Sequence, residues 1–175
     1  MTNRIALCIA ALCVASLALA DRRTVELGED DILLMEVPEG LTFAGTAATK
    51  GRPGGVALKD AEGVCEMRIK FVAPKQVPSK EQLKESLEKS AERLLPNAVE
   101  QKIDVQELPD SKFAVVYFQL TDKREDGGDG RYMLQGLGVS GRHVCQFMML
   151  MQQKTSPGRT AVLKALSSME MTKKK

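Results

Sequence analysis

Cys65-Glu66-Met67-Arg68-Ile69-Lys70-Phe71-Val72-Ala73 is the stretch from which the fold is read. Cys65, Met67, Ile69 and Phe71 fall on one face, and Glu66, Arg68 and Lys70 on the other. A period of two marks a half-buried β-strand, because successive side chains leave opposite sides of the pleat. Pro74 and Pro78 end it. Ser79 then offers a hydroxyl to open a helix, and Gln82, three residues on, completes a capping box. Leu83, Leu87, Ala91, Leu94 and Leu95 recur at helical spacing, with Glu85 and Lys89 as an i,i+4 pair on the wet side. Pro96 stops the helix.

Downstream, residues 98–107 and 113–121 read as two strands joined by the turn-forming run Leu108-Pro109-Asp110-Ser111-Lys112. Phe113-Ala114-Val115-Val116-Tyr117-Phe118 is apolar on both faces, which places it inside a sheet covered on two sides. A polar loop at 122–130 leads to a strand at 131–139. Ser140-Gly141 turns the chain into 142–152, again apolar on both faces, where the methionines read as core filler. Ser156-Pro157 supplies an N-cap and a first-turn proline for a closing helix whose inner face is Val162, Leu163, Leu166 and Met169.

Upstream, Ile32-Leu33-Leu34-Met35-Glu36-Val37 is a strand, Pro38-Glu39-Gly40 a turn, and Leu41-Thr42-Phe43 a short extended segment. The Gly-rich run 45–55 lacks the spacing of a phosphate loop and reads as a flexible connection. The order is β-β-helix-β-β-β-β-helix. The expected fold class is α+β, an antiparallel sheet of about five to six strands flanked by two amphipathic helices, in a single domain over residues 21–175.

In this order and texture the chain resembles the Mog1/PsbP-like group, including periplasmic proteins similar to DcrB. The resemblance is carried by "EVPEGLTF", "CEMRIKFVA", "SKEQLKESLEKSAERL", "FAVVYFQLTD", "RYMLQGLGVSGRHVCQFMMLM" and "PGRTAVLKALSSM". It implies an antiparallel sheet flanked by helices and a role in binding or assembly. It transfers no functional residue.

Residues 1–20 read as a signal peptide. Arg4 precedes an uncharged run over 5–20, and Ala18 and Ala20 frame a small-residue cleavage site before Asp21. The run is shorter and more Ala-rich than a membrane span of about 20 apolar residues. The protein is therefore expected in the periplasm or secreted, with no stable membrane insertion after cleavage. Loss of Arg4 leaves 24 basic and 23 acidic groups, a net charge of +1 against +2 for the whole chain. That balance leaves no footprint for nucleic acid. The Lys173-Lys174-Lys175 end reads as a solvated tail.

Cleavage also removes Cys8 and Cys13, leaving Cys65 and Cys145. In an oxidising compartment this pair is expected to form a disulfide, closing a loop of about 80 residues worth roughly 4–5 kcal/mol. The alternative is two separate buried cysteines behaving as small hydrophobes.

Composition bounds the chemistry: 43% hydrophobic, 27% charged, 4% aromatic, no tryptophan and one histidine in 175 residues. A disordered chain, a collagen repeat and a polytopic membrane protein are excluded. His143 lies two residues from Cys145, about 6.5 Å along a strand, too far for a thiolate–imidazole pair. Gly138-Val139-Ser140-Gly141-Arg142 fails as a nucleophile elbow at its fifth position. Cys65, Cys145 and His143 have no zinc-ligand spacing, and the carboxylates of 122–130 lack EF-hand order. The expectation is no catalytic residue, no metal and no cofactor.

The function expected is that of a non-enzymatic protein-binding or accessory protein of the cell envelope. It would recognise another envelope protein through loops 45–63 and 122–130 and nearby strand ends, with Arg52, Lys123, Arg124, Glu125, Asp126 and Asp129 as contact residues. The alternative is an inhibitor or immunity protein against an exported hydrolase or toxin.

Overall fold

The computed structural model describes residues 20–28, 30–50, 53–124 and 130–174. Of the expected contact residues, Arg52, Glu125, Asp126 and Asp129 lie outside the described residues, as does the signal peptide up to residue 19.

The described chain runs β1 (Asp21–Glu26), β2 (Asp31–Val37), β3 (Leu41–Thr46), β4 (Gly55–Asp60), β5 (Cys65–Val72), α1 (Lys80–Glu92), a 3-10 turn (Leu95–Asn97), β6 (Gln106–Glu107), β7 (Ala114–Thr121), β8 (Tyr132–Ser140), β9 (His143–Met151), α2 (Pro157–Ser167) and β10 (Glu170–Lys173). The fold is α+β. Its strands form a seven-stranded sheet in the order β3-β4-β5-β9-β8-β7-β6 and a three-stranded sheet β1-β2-β10, with antiparallel pairing throughout. The expected five to six strands are thus ten, in two sheets.

The local signals account for the elements they mark. Ser79 and Gln82 form both bonds of the capping box, and Leu83, Leu87 and Ala91 are the buried side of α1. Ser156 caps α2, with Pro157 in its first turn. The alternation of β5 holds, with Cys65, Met67, Ile69 and Phe71 buried. The turn from β8 to β9 passes through Gly141 at φ +56°, a backbone conformation that glycine adopts without strain.

Two cores result, one on each face of the large sheet. On one face the small sheet and α2 enclose Leu33, Met35, Leu58, Met67, Phe147, Met149 and Leu166. On the other, α1 lies over β7 and β8, enclosing Leu83, Leu87, Val116, Phe118 and Leu120. This answers the two-sided apolar pattern of residues 113–118. The cover is a sheet plus a helix on one side and a single helix on the other, rather than one helix per side.

Four expectations are corrected. The ends of the Gly-rich stretch belong to a hairpin, since β3 runs through Gly45 and Thr46 and β4 begins at Gly55, which makes the connection shorter than expected. Val56 and Leu58 face Ile69 and Met67 across the β4–β5 ladder, and their burial holds the strand despite its glycines. The strand expected at 98–107 shrinks to β6 and a single bridge from Ala98 to Asp122. The carboxylate of Glu100 accepts from Thr121 N–H and Oγ1–H at 2.8 Å each, taking the place of a strand partner along that part of β7.

Third, Lys173 and Lys174 are anchored rather than a free tail, although both stay exposed: Lys173 ends β10, its Nζ donates to Asp31 Oδ1 at 2.8 Å, and Lys174 Nζ donates to Glu26 Oε1 at 2.9 Å. Fourth, Cys65 and Cys145 are free and buried. Cys65 sits opposite Met151 and Cys145 opposite Phe71 on the β5–β9 ladder. Phe71 is six residues along β5 from Cys65, about 20 Å at strand rise, whereas a disulfide needs Cα atoms within about 7 Å.

Candidate functional site

The loop between β7 and β8 was expected to carry recognition, and a cleft opens beside it. The end of α1 and the 3-10 turn contribute Leu94, Pro96, Asn97 and Ala98. The facing ends of β7 and β8 contribute Leu120, Asp122, Arg131 and Met133, and Leu150 comes from β9. The volume is about 630 Å³, within the usual range for ligand sites of about 300–1,000 Å³. Leu120 and Met133 are register partners, as are Met133 and Leu150, so one row across three strands builds the apolar floor. Helix α1 ends at Glu92, and the turn that follows it contributes Leu94 to the wall above this row.

Among the described residues the rim carries Lys123, Arg124 and Arg131 beside the carboxylate of Asp122. Lys123 Nζ donates to the neutral Pro96 O at 3.0 Å. Arg124 is held by Asp122 through its backbone N–H, Nε and a terminal nitrogen at 2.7–3.2 Å. That clamp pulls the Asp122 carboxyl down to about 2. Arg131 is exposed on the same rim. The sequence reading named Lys123 and Arg124, and the fold brings them to one rim. It missed Arg131 and the whole apolar floor, whose pieces are distant in sequence.

The second expected loop does not join this surface. Thr46 and Gly55 close the hairpin at the level of Lys70 and Gln146, whereas the β7–β8 end lies at the level of Cys65 and Met151. Five residues of strand separate these levels, about 17 Å. The turn before Cys65 alone, out of 45–63, lies at the β7–β8 end of the sheet.

His143 has a different task from any the sequence named. Asp31, at the start of β2, is buried with its side chain 7% exposed, and His143 Nε2 lies 2.8 Å from its Oδ2. Arg142 Nε–H donates to the same oxygen at 2.8 Å, and Lys173 holds the other. The bonds from Lys173, His143 and Arg142 keep the Asp31 carboxyl far below the usual aspartate range, against the opposing effect of burial. One carboxylate thus ties β2 and β10 of the small sheet to the β8–β9 turn of the large one. Cys145, fully buried one position inward on the same face, has its thiol pushed up to about 12 by burial, and burial raises Cys65 to about 11. Both thiols stay protonated at neutral pH and are poor nucleophiles.

Among the described residues no group of three His, Cys, Asp or Glu side chains could hold a metal ion. No helix among them is long and apolar enough to cross a membrane.

No protein-family model matches the chain, and no curated protein matches it. A solved structure from Bacteroides thetaiotaomicron VPI-5482 is similar, with a TM-score of 0.49 and 10% identity, over 79% of this chain and 44% of that one. The chain spans less than half the length of that protein, and neither a family nor a function follows from the likeness.

Proposed function

We propose that this protein is an exported, non-enzymatic binding or accessory factor of the cell envelope, of the Mog1/PsbP-like group, that seats part of another envelope protein in the cleft between α1, β7 and β8. The observation that carries the reading is the cleft itself: an apolar floor of Leu94, Leu120, Met133 and Leu150 under a rim bearing Lys123, Arg124 and Arg131. An apolar floor supplies binding energy and a charged rim supplies orientation and rate of encounter, the usual division in protein interfaces. The partner element that suits the floor is an apolar side chain.

The interior supports a binding role over a chemical one. His143 is committed to Asp31, and both cysteines are sequestered thiols. Export is supported by the leader-like residues 1–20 and by β1 starting at Asp21, immediately after the expected cleavage point.

The test is affinity capture from envelope extract with the wild-type protein and with Met133→Glu, which puts a charge on the apolar floor. A partner retained by wild type and lost by Met133→Glu, with both proteins equally folded, supports the reading. Equal capture by both removes the cleft from it.

A further inference from the structure

The two sheets have four edges, and three are defended against strand addition. Strand β1 carries Asp21, Arg22, Arg23 and Glu26, β10 carries Glu170 and Lys173, and β6 is two residues long and includes Glu107. Charged or very short edges resist pairing with another chain. Strand β3, Leu41-Thr42-Phe43-Ala44-Gly45-Thr46, has neither charge nor proline and ends the seven-stranded sheet.

Its backbone faces are fixed by its neighbours. Ala61 N–H donates to Gly40 O, and Phe71 N–H donates to Gly54 O. Hydrogen-bonded pairs alternate in an antiparallel ladder, so Thr42, Ala44 and Thr46 turn their amides toward β4. Leu41, Phe43 and Gly45 turn theirs outward. Leu41 N–H is taken by Pro38 O at 3.3 Å. The Phe43 and Gly45 amides and the Leu41 carbonyl therefore form an open row. Beside it lies a groove of about 450 Å³, with Val37, Pro38, Leu41 and Phe43 as its apolar wall and Asp21, Arg23 and Glu39 as its charged one. Strand β1 meets β3 on its core face, where a Cβ on Gly45 would lie 2.6 Å from Val25 Cγ2, and it bonds the chain just beyond β3, where Ala48 N–H donates to Glu26 O at 3.0 Å.

We propose that β3 pairs with β3 of a second copy of this chain, antiparallel about a two-fold axis through Phe43. The strand is self-complementary in that register. Phe43 of each copy exchanges N–H···O bonds with Phe43 of the other, and each Gly45 N–H meets the other copy's Leu41 carbonyl. On the core face the two Phe43 rings stand opposite each other. Each Leu41 stands opposite Gly45, a large side chain against none, and Val25 beneath prevents that position from carrying anything larger. The half-buried Leu41 and Phe43 thereby lose their remaining contact with water; β3 itself carries no charge, and Asp21 and Arg23 beside it pair with each other at 2.6 Å. This surface is four strand positions from the cleft, so it stands or falls independently of partner binding there.

The test combines sedimentation mass with amide hydrogen exchange by NMR on the exported protein over a range of concentrations. The expected result is a mass rising toward twice the monomer, while exchange at Phe43 and Gly45 slows more than tenfold and Thr42 and Ala44 stay as protected as before. The double variant Thr42→Lys with Ala44→Lys changes two exposed side chains and sets like charges opposite each other across the two-fold. It should remain monomeric at every concentration. A protein monomeric at every concentration overturns the proposal, as does a dimer in which Phe43 and Gly45 exchange freely. Protection that appears in a monomer only on addition of a foreign extended peptide overturns the choice of occupant.

Discussion

Replacing Asp31 by Asn removes one negative charge from a place where three basic side chains converge. The carboxylate accepts from Lys173 and Arg142 at 2.8 Å each and lies 2.8 Å from His143 Nε2. An asparagine of the same shape offers one acceptor oxygen, and its NH2 group faces donors. Breaking a fully buried pair from one side costs about 3–5 kcal/mol. Here the loss is reduced because the Arg142 and Lys173 side chains are 58% and 72% exposed and regain water. The expected cost is about 3 kcal/mol at pH 7, which for a domain of this size lowers Tm by about 6–12 °C.

The pH dependence has a definite sign. The folded-state pKa of Asp31 is depressed, so its stabilisation is complete above the unfolded aspartate value of about 4 and is lost as pH falls toward the folded value. Each unit below pH 4 should close the gap between wild type and Asp31→Asn by up to about 1.4 kcal/mol. Denaturant melts of both proteins at pH 7, 4 and 2.5 measure the gap, and contributions from groups that do not contact Asp31 cancel in the difference. A gap under about 0.5 kcal/mol at pH 7, or one that stays constant to pH 2.5, would refute the reasoning.

Protein lacking residues 1–20 should show the same Tm with and without reductant, and alkylation at pH 8 followed by mass spectrometry should find no modified thiol until denaturant is added, then two. A bridged Cys65–Cys145 peptide after digestion would contradict the free, buried thiols. Gly136→Ala should cost at least about 2 kcal/mol in urea unfolding, because the new Cβ would lie 2.2 Å from Phe147 Cζ and 2.6 Å from Val116 O; a neutral result would mean that the centre of the large sheet can shift at that point.

What the sequence made legible is what short-range chemistry decides. The capping box at Ser79, the Ser156-Pro157 start, the alternation over 65–71 and the two-sided apolar run at 113–118 each depend on residues within one element, and each forms as read. The edge strands were not legible. In β1 only Val25 is buried, and β10 buries no residue fully, so neither carries an alternating pattern; pairing with β2 makes them strands. The glycines around β4 masked a strand whose evidence lies in Ile69 and Met67 opposite it.

The same limit governs the site. Lys123 and Arg124 were found as charges in a loop, but the cleft floor joins residues 94–98, 120–133 and 150, which only the strand order brings together. The Asp31 cluster spans more than a hundred residues of chain. The expected disulfide failed for a related reason: both cysteines face the core, as read, but register put them at opposite ends of adjacent strands.

The most direct test of partner binding at the cleft is site-specific photo-crosslinking in living cells, with the photoreactive residue at Arg131 on the rim and, as control, at Lys84, an exposed position of α1 outside the cleft lining. The account predicts a discrete adduct with another envelope protein from position 131, absent from position 84 and abolished by Met133→Glu. No adduct from position 131, or the same adducts from both positions, would contradict it.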